Sequence, residues 1–349
     1  MESFGVLKAT CEIGAVHSDE SRMTALIRDI FSEFGHEIMC DKMGNIIIRI
    51  AKGSKKRLLI FTHYDEPGLV IRGADEGGCL DFETVGPIDP GNLAAQEVLI
   101  YGKKTMEGVI GLRPPHILSP EERKAPVEMS ELKIDAGLSR FEALNMVPPG
   151  TTAVVKRQFM RLQKNMVMAR ALGDRASIAV LHMFLKDMEK INAHIDADIY
   201  IVMGTQHYGG YKGAICVSER IKPDAAIVID STDAESRELK GAFAKCGMGP
   251  AIYRGPIAHP RLTLLMIQFS KRSRIHHQVI ATAERRNTDA WAVQISCGGI
   301  PTALMMIPVR YRRSAAEMMD FSDVECAAGL LGCYAKSLGD MDWGDFLCW

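Results

Sequence analysis

Apolar and polar positions follow one another along the chain in patterns that predict a succession of helices and strands. In residues 18–35, apolar side chains recur every three or four positions, which predicts an amphipathic helix with Ser18 as its N-cap and Gly35 at its end. Residues 58–61 are all apolar, as in a strand buried on both faces, and this run ends in polar residues at His63. Open α/β sheets bind ligands beyond such strand ends.

The pattern changes between residues 69 and 165. Short apolar runs are separated there by Gly and Pro turns, which predicts an inserted β-rich domain. Beyond residue 165, strands again alternate with helices, one of which is predicted over residues 176–191. The last predicted helix begins at Ser322, has Glu325 in a capping box and ends at Gly339.

This order of elements predicts the fold class and the domains. Strands that are separated by helices form largely parallel sheets. We therefore expect an α/β fold in which residues 1–68 and 166–349 form a mostly parallel sheet with helices on both faces. Residues 69–165 are expected to form the β-rich insertion.

Composition and charge narrow the classes of partner. The chain has 42 Lys and Arg against 43 Asp and Glu, a formal net charge of −1, which gives no long-range attraction to nucleic acid or to an anionic membrane. No apolar stretch approaches the roughly 18 residues of a membrane helix, and the first residues lack a signal-peptide pattern. The nine cysteines contain no C-x-x-C pair, as is usual for free thiols in a reducing compartment. We expect a cytoplasmic protein that binds neither nucleic acid nor membranes.

Polar residues cluster where predicted strands or sharp turns end. The segments are THYDEPG (62–68), GDR (173–175), GTQHYGGYKGA (204–214), VIDSTD (228–233) and VRYRRSAAE (309–317). They would form a site if they met at the C-terminal edge of one sheet. We expect Asp65 to orient His63 from behind, although a histidine in a surface loop is the structural alternative. Asp289, in RNTDAWA, is expected to cap the helix that follows it.

These segments resemble, in order and spacing, the di-metal aminopeptidases known as glutamyl, deblocking or tetrahedral aminopeptidases. The resemblance covers nearly the whole chain, including ALGDRAS (171–177). It implies that the β-rich domain mediates assembly into large homo-oligomers and that the ligand is a peptide or a related small molecule. It also implies that His63, with Asp65 behind it, and Asp230 are ligands of the same metal ion.

Four functional positions of the family carry other residues in this chain. A metal-bridging Asp, a general-base Glu, a ligand Glu and a final ligand His fall, respectively, on Gly173, Gln206, His207 and Arg313. Gly173 offers no donor atom, so we do not expect a centre with two ions about 3.5 to 4 Å apart. Gln206 cannot accept a proton from water, and general-base catalysis is typically worth about 10²- to 10⁴-fold.

The remaining donors are sufficient for at most one divalent metal ion. We expect either no metal or one ion, with zinc as the first candidate, bound by His63 and Asp230 with His207 as a third ligand. Asp174 is expected to point away from the metal position. The guanidinium of Arg313 is always protonated, so we expect it to pair with Asp230 and, with Asp174, to line a pocket for substrate or an anion.

Three functions remain open from the sequence. The first is a family member with a degraded centre, non-catalytic or strongly impaired, that binds a peptide or small ligand or serves in assembly. The second is an active aminopeptidase with a remodelled single-metal site. The third is a glycoside hydrolase, because proteins of this kind have been called endoglucanases; it would need two working carboxylates among Asp65, Asp174 and Asp230.

Overall fold

The computed structural model describes residues 1–50, 53–190, 196–237, 239–240, 244–283 and 287–343. The helices of this part are α1 (Ser3–Glu12), α2 (Ser21–Ser32), α3 (Arg140–Met146), α4 (Leu172–Lys190), α5 (Lys212–Ile221), α6 (Pro260–Arg272), α7 (Asp289–Ile295) and α8 (Phe321–Gly339). The strands are β1 (Glu37–Cys40), β2 (Ile46–Ile50), β3 (Arg57–His63), β4 (Gly68–Ala74), β5 (Leu80–Val85), β6 (Glu97–Tyr101), β7 (Thr105–Gly111), β8 (Lys133–Asp135), β9 (Thr152–Val155), β10 (Met160–Arg161), β11 (Met166–Ala169), β12 (Asp198–Gly204), β13 (Ala225–Asp233), β14 (Ala251–Arg254), β15 (Gln278–Ala281), β16 (Thr302–Val309) and β17 (Glu317–Asp320).

The larger sheet has, within the described ranges, eight strands in the order β1-β2-β12-β3-β13-β16-β14-β15. Its centre is parallel, since β3 pairs with β12 and β13, and β13 pairs with β16. Antiparallel pairs lie towards the edges, between β1 and β2, between β2 and β12, and between β14 and β16. The predicted α/β class is confirmed, and the parallel arrangement holds at the centre of the sheet, where the site lies.

Helices cover both faces of this sheet, as the residues of β3 show. Leu58 and Ile60 pack in one apolar cluster with side chains of α2, α4 and α8. Leu59 and Phe61 pack in a second cluster with side chains of α5 and α7. All four residues are fully buried, which explains why the run has no polar position.

A closed barrel is inserted after β3, with the strand order β4-β5-β8-β7-β6-β9. It encloses an apolar core of its own, to which α3 contributes Ala143. The strands β10, β11 and β17 form a small separate sheet. The barrel strands begin at Gly68 and end at Val155, whereas the boundaries at residues 69 and 165 and the role of this part in assembly stay predictions.

Several predicted helix ends differ from the structure. Helix α2 begins at Ser21 after Glu20, whereas Ser18 has a φ of 70° and does not cap it. Helix α8 is capped by Asp320, whose side chain accepts from the Ser322 N–H, so the capping box with Glu325 is wrong. Its end at Gly339 is confirmed.

The helix predicted over residues 176–191 corresponds to α4, which begins four residues earlier at Leu172; residue 191 lies outside the described residues. Within the described part, none of the helices is both long and apolar enough to span a membrane.

Candidate functional site

The C-terminal edge of the parallel strands gathers the polar side chains that the sequence singled out. His63 is the last residue of β3 and pairs with Gly204 at the end of β12. His207 follows β12, and Asp230 lies in β13 beside these strands. Asp174 reaches the same place from the first turn of α4. All four residues are buried.

His63 presents one ring nitrogen to two carboxylates. Its Nε2 lies 3.8 Å from Asp174 Oδ1 and 4.0 Å from Asp230 Oδ1. Its Nδ1 donates to the backbone carbonyl of Asp65 at 3.1 Å, with Asp65 Oδ1 at 3.6 Å. Because a carbonyl can only accept, Nδ1 carries a proton and Nε2 is left to face the carboxylates. The carboxylate of Asp65 thus lies behind the imidazole of His63, although the backbone carbonyl of Asp65 makes the shorter contact with Nδ1.

The charges around His63 favour a bound cation, as the pKa shifts of His63 and Asp230 indicate. Burial lowers the pKa of His63, but the hydrogen bond with Asp65 and the charges of Asp289 and Asp174 outweigh it and raise the pKa to about 10. Burial raises the pKa of Asp230, and the charges of His63, His207 and Arg312 reverse that effect and lower it. The shift of His63 records surplus negative charge around its imidazole, whereas the shift of Asp230 records the positive charges beside its carboxylate.

The sequence did not reveal the partner of His207. Its Nδ1 lies 2.7 Å from Asp289 Oδ2, and its backbone N–H donates to Asp65 Oδ1 at 3.1 Å. The predicted capping role of Asp289 is wrong, because Thr288 is the N-cap of α7 and its hydroxyl accepts from the Ala290 N–H. The carboxylate of Asp289 instead fixes the imidazole of His207.

The rings of His63 and His207 are stacked, with centroids 3.9 Å apart and planes inclined by 17°. The donor atoms of His63, His207 and Asp289 lie within 4.8 Å of one another and form one candidate metal group. However, lone pairs lie in the plane of each imidazole, so nearly parallel rings do not direct two nitrogens at one ion. Nε2 of His63 instead faces the carboxylates of Asp174 and Asp230.

Asp174 therefore points towards His63 and not away from it, contrary to expectation. Its Oδ1 accepts a hydrogen bond from Tyr208 Oη at 2.7 Å, which fixes the carboxylate. The preceding residue, Gly173, donates its N–H to Glu317 Oε2 at 2.7 Å. A Cβ at Gly173 would lie 2.8 Å from Ser231 Oγ, so this chain has little room for a side chain at the position.

The predicted pair between Arg313 and Asp230 is wrong. Arg313 is exposed and has a φ of 68°, and its N–H donates to Glu317 Oε1 at 2.6 Å. In the parts of the chain that the structure describes, no ion pair within 4 Å involves its guanidinium. Arg312 points inward instead and donates from Nε to Ser231 Oγ at 2.9 Å. Burial lowers the pKa of Arg312, and Asp230 and Tyr208 more than restore it, so the net shift is upward.

Gln206, which the family resemblance places at the general-base position, precedes His207 in the segment after β12. Its φ is 60°, in the left-handed region, and the residue is half-buried. The amide offers no proton-accepting nitrogen, so Gln206 cannot act as a base here.

A pocket opens from the site towards the barrel. Its polar wall includes the residues that surround Gly173, and its apolar wall comes from the inserted barrel. The principal lining residues are Leu69, Ile88, Leu93, Asp174, Tyr208, Arg312, Arg313 and Glu317. Arg313 and Asp174 therefore line one pocket as expected, without an ion pair between Arg313 and Asp230.

Comparisons with known proteins agree on one family. The sequence profile of M42 glutamyl aminopeptidases matches residues 44–330. A lysyl aminopeptidase of Pyrococcus furiosus is 31% identical over 323 residues and covers 91% of this chain and 92% of its own.

Two solved structures extend the likeness to the whole fold. A TET aminopeptidase from a marine sediment archaeon of the Thaumarchaeota has a TM-score of 0.94 at 25% identity, over 99% of this chain and 98% of its own. The TET1 peptidase of Pyrococcus horikoshii, which can assemble into a tetrahedron or a large octahedral shell, has a TM-score of 0.84 at 29% identity, over 96% of this chain and 99% of its own.

Proposed function

The chain belongs to the M42 glutamyl aminopeptidase family, and from this premise we propose that it is an aminopeptidase with a remodelled centre that holds at most one divalent metal ion. One observation carries the proposal. His63 Nε2 faces Asp174 and Asp230 at 3.8 and 4.0 Å, and the adjacent His207 is paired with Asp289 at 2.7 Å. This arrangement offers a metal site and a proton acceptor side by side.

The residues present do not fit two metal ions. Gly173 stands where the family resemblance implies a bridging carboxylate, and Ser231 Oγ would lie 2.8 Å from a Cβ added there. The guanidinium of the half-buried Arg312, which donates to Ser231 Oγ, brings a positive charge to the same place. A cation a few ångströms from a guanidinium is repelled by several kcal/mol at an effective dielectric of about 20. We therefore assign no step to a second ion.

The residues do fit one ion. One imidazole nitrogen and two carboxylates are donors that suit zinc and other divalent first-row metals. Asp65 and Tyr208 would hold His63 and Asp174 in place, as outer partners of metal ligands do. When bound, a divalent ion supplies Lewis-acid polarisation of a peptide carbonyl. His207 is not needed as a third protein ligand, which revises its predicted role.

His207 is the proposed general base. A carboxylate accepts from Nδ1–H, so the contact with Asp289 leaves Nε2 as the nitrogen that can take a proton. An Asp–His pair of this kind replaces the Glu that the family has at the position of Gln206. Positioned proton transfer contributes typically about 10²- to 10⁴-fold to a rate.

The test is release of the amino-terminal residue from short peptides and aminoacyl anilides by the metal-loaded full-length protein. We expect the activity to be lost on chelation and restored by a divalent ion. His207→Gln should lower kcat by about 10²-fold or more with KM little changed, because Gln cannot accept the proton. Asp289→Asn should act in the same direction, whereas His36→Gln, far from the site, should change neither constant.

A second candidate is a peptide-binding protein that does not hydrolyse its ligand, and Gly173 and Gln206 favour it. Calorimetry with an unlabelled dipeptide separates the two functions. Binding without turnover, unchanged by His207→Gln, would support the second candidate and overturn the first. Hydrolysis of a cellulose-like substrate in place of peptides would indicate the glycoside hydrolase.

Assembly is part of the same proposal. We propose that the chain forms a homo-oligomer through the barrel region, as the resemblance to tetrahedral aminopeptidases implies, and that it acts in the cytoplasm. The assembly of the TET1 peptidase of Pyrococcus horikoshii supports the first of these statements.

A further inference from the structure

A second group of donor side chains lies outside the set formed by His63, Asp174 and Asp230. Donor atoms of His17, Glu20 and Asp65 lie within 4.8 Å of one another. His17 and Glu20 come from the segment before α2, and Asp65 follows β3. The group joins two parts of the chain that are about 45 positions apart in sequence.

The imidazole of His17 has a buried nitrogen that needs a partner. Among the described residues, its Nδ1 has no hydrogen-bond partner. Leaving a buried polar atom unpaired typically costs about 1 to 3 kcal/mol. A ligand that accepts the lone pair of this nitrogen would remove that cost.

The position of the ring is fixed by the loop that follows β12. A Cβ at Gly209 would lie 2.2 Å from His17 Cε1 and 2.6 Å from Nε2, so only glycine leaves room for the ring. The imidazole is therefore held against the loop and kept beside the carboxylates.

The two carboxylates near His17 repel each other. Burial raises the pKa of Glu20 to about 7, a hydrogen bond from Ser18 opposes this, and the charge of Asp65 adds to it. Burial also lowers the pKa of His17, so the imidazole is neutral and ready to act as a ligand. Lys212 is the nearby positive charge that acts on His17, and its residue is exposed.

We propose that His17, Glu20 and Asp65 form a binding site for one divalent ion of the zinc and cobalt class, separate from the site of His63. An imidazole with two carboxylates favours such metals over magnesium and calcium, which prefer oxygen ligands alone. Asp65 also accepts from the backbone N–H of His207 at 3.1 Å. An ion at this site therefore ties the segment before α2 to the loop that carries His207. The proposal does not depend on hydrolysis.

The test counts metal ions in a background without the first site. Metal-free full-length protein with His63→Ala and Asp230→Asn is titrated with zinc and with cobalt by calorimetry, and cobalt absorption reports nitrogen and oxygen ligation. We expect one equivalent to remain. Adding His17→Ala or Glu20→Gln should weaken its binding at least tenfold, whereas His116→Ala, an exposed histidine on the barrel, should leave the affinity unchanged.

The proposal would be overturned if the protein with His63→Ala and Asp230→Asn bound no metal, or if adding His17→Ala left its metal affinity unchanged. Should the double variant fail to fold, the same comparison is made between His17→Ala and His116→Ala in the otherwise unaltered chain. The expected result there is the loss of one bound ion in the first variant only. These outcomes report metal binding by the group that contains His17, so they can be distinguished from a failure of the proposed hydrolysis.

Discussion

Arg312 and Arg313 are neighbours in sequence, yet only Arg312 points into the site. The φ of 68° at Arg313 turns the backbone, and the N–H of Arg313 is fixed by Glu317. The guanidinium of Arg312 is then placed beside Ser231 and close enough to Asp230 and Asp174 for their charges to act on its pKa. A permanent cation in this place competes with a metal ion for the same carboxylates.

We predict that Arg312→Leu raises the affinity of the His63 site for a divalent ion at least tenfold. Removing a unit charge several ångströms from a divalent ion relieves repulsion of more than about 1.4 kcal/mol, which corresponds to tenfold. The measurement is cobalt titration in the His17→Ala background. Arg313→Leu is the matched control and should leave the affinity unchanged. Equal effects of Arg312→Leu and Arg313→Leu on the metal affinity would contradict the conclusion that Arg312 is the arginine that acts on the site.

Restoring the bridging carboxylate alone is predicted to fail. Gly173→Asp places a Cβ 2.8 Å from Ser231 Oγ, so the variant should lose about 1 to 3 kcal/mol of unfolding free energy through overpacking. It should bind no additional ion. Combining Gly173→Asp with Ser231→Gly and Arg312→Leu removes both the clash and the competing charge. A second equivalent of metal in the single variant, measured by elemental analysis, would show that the site is more adaptable than its packing indicates.

At this scale the sequence predicted which polar residues meet at the edge of the sheet but not all of their contacts. His63 and Asp230 could be found because each lies near the end of an apolar strand. The pair of His207 with Asp289 joins residues 82 positions apart, and no local pattern encodes that contact. The inward direction of Arg312 depends on the positive φ of the next residue, which a run of two arginines does not reveal.

Among the elements, α8 shows how a helix start can be assigned to the wrong side chain. Ser322 and Glu325 have the spacing of a capping box, but Asp320 caps the helix. Asp323, in the first turn, is buried and accepts from the N–H groups of Gly247 at 2.8 Å and Gly249 at 2.7 Å. It thus holds the loop before β14 against the helix.

We predict that Asp323→Ala lowers the unfolding free energy by about 2 kcal/mol, because two buried N–H groups lose a charged acceptor. The matched control is Glu325→Ala, an exposed acid two positions later on the same helix. It should change the unfolding free energy by less than about 0.5 kcal/mol. Urea denaturation measures both. A larger loss of unfolding free energy for Glu325→Ala than for Asp323→Ala would mean that the capping box of Ser322 and Glu325 does form.

The same carboxylate predicts a dependence of stability on pH. Burial raises the pKa of Asp323 from 3.8 to about 6, although the N–H groups of Gly247 and Gly249 oppose the shift. The folded protein then binds this proton more tightly than the unfolded chain, so its contribution to stability falls as pH rises from about 4 to about 6. Asp323→Asn does not titrate. The unfolding free energy of the wild type minus that of the variant should decrease over this interval, and a rise would contradict the assignment.

Most elements followed from apolar periodicity, and the exceptions have physical causes. The strand β16 has apolar residues at every position after Thr302, and every residue in it is buried. The antiparallel pairs β1–β2, β2–β12 and β14–β16 are not predicted by the alternation of helix and strand. The short connection between β1 and β2, for example, forms a hairpin. Closure of the barrel depends on pairing between β4 and β9, which are about 80 residues apart.

On the scale of the whole molecule, the pocket is shared between two parts of the chain. Its polar wall comes from residues outside the barrel, such as Asp174 and Glu317, and its apolar wall from the inserted region that forms the barrel. Family members assemble, and an assembly that fixes the barrel also fixes one wall of the pocket. The surface of the barrel region is therefore where a contact between copies would influence ligand binding.

The barrel region carries an apolar surface that suits such a contact. Phe141 and Leu144 lie three positions apart on α3 and are 81% and 44% exposed. Residues at this spacing share one face of a helix, and a phenylalanine so exposed is typical of an interface.

We predict that the protein has a mass well above the 38.5 kDa of one chain in multi-angle light scattering. The double variant Phe141→Glu and Leu144→Glu should shift that mass towards a single chain, because charged side chains are costly to bury at the centre of an interface. Leu264→Glu, at a position on α6 that is 51% exposed, is the control and should preserve the assembly. A wild-type mass of one chain would contradict the prediction, and dissociation by Leu264→Glu alone would place the interface on the large sheet's helices and not on the barrel.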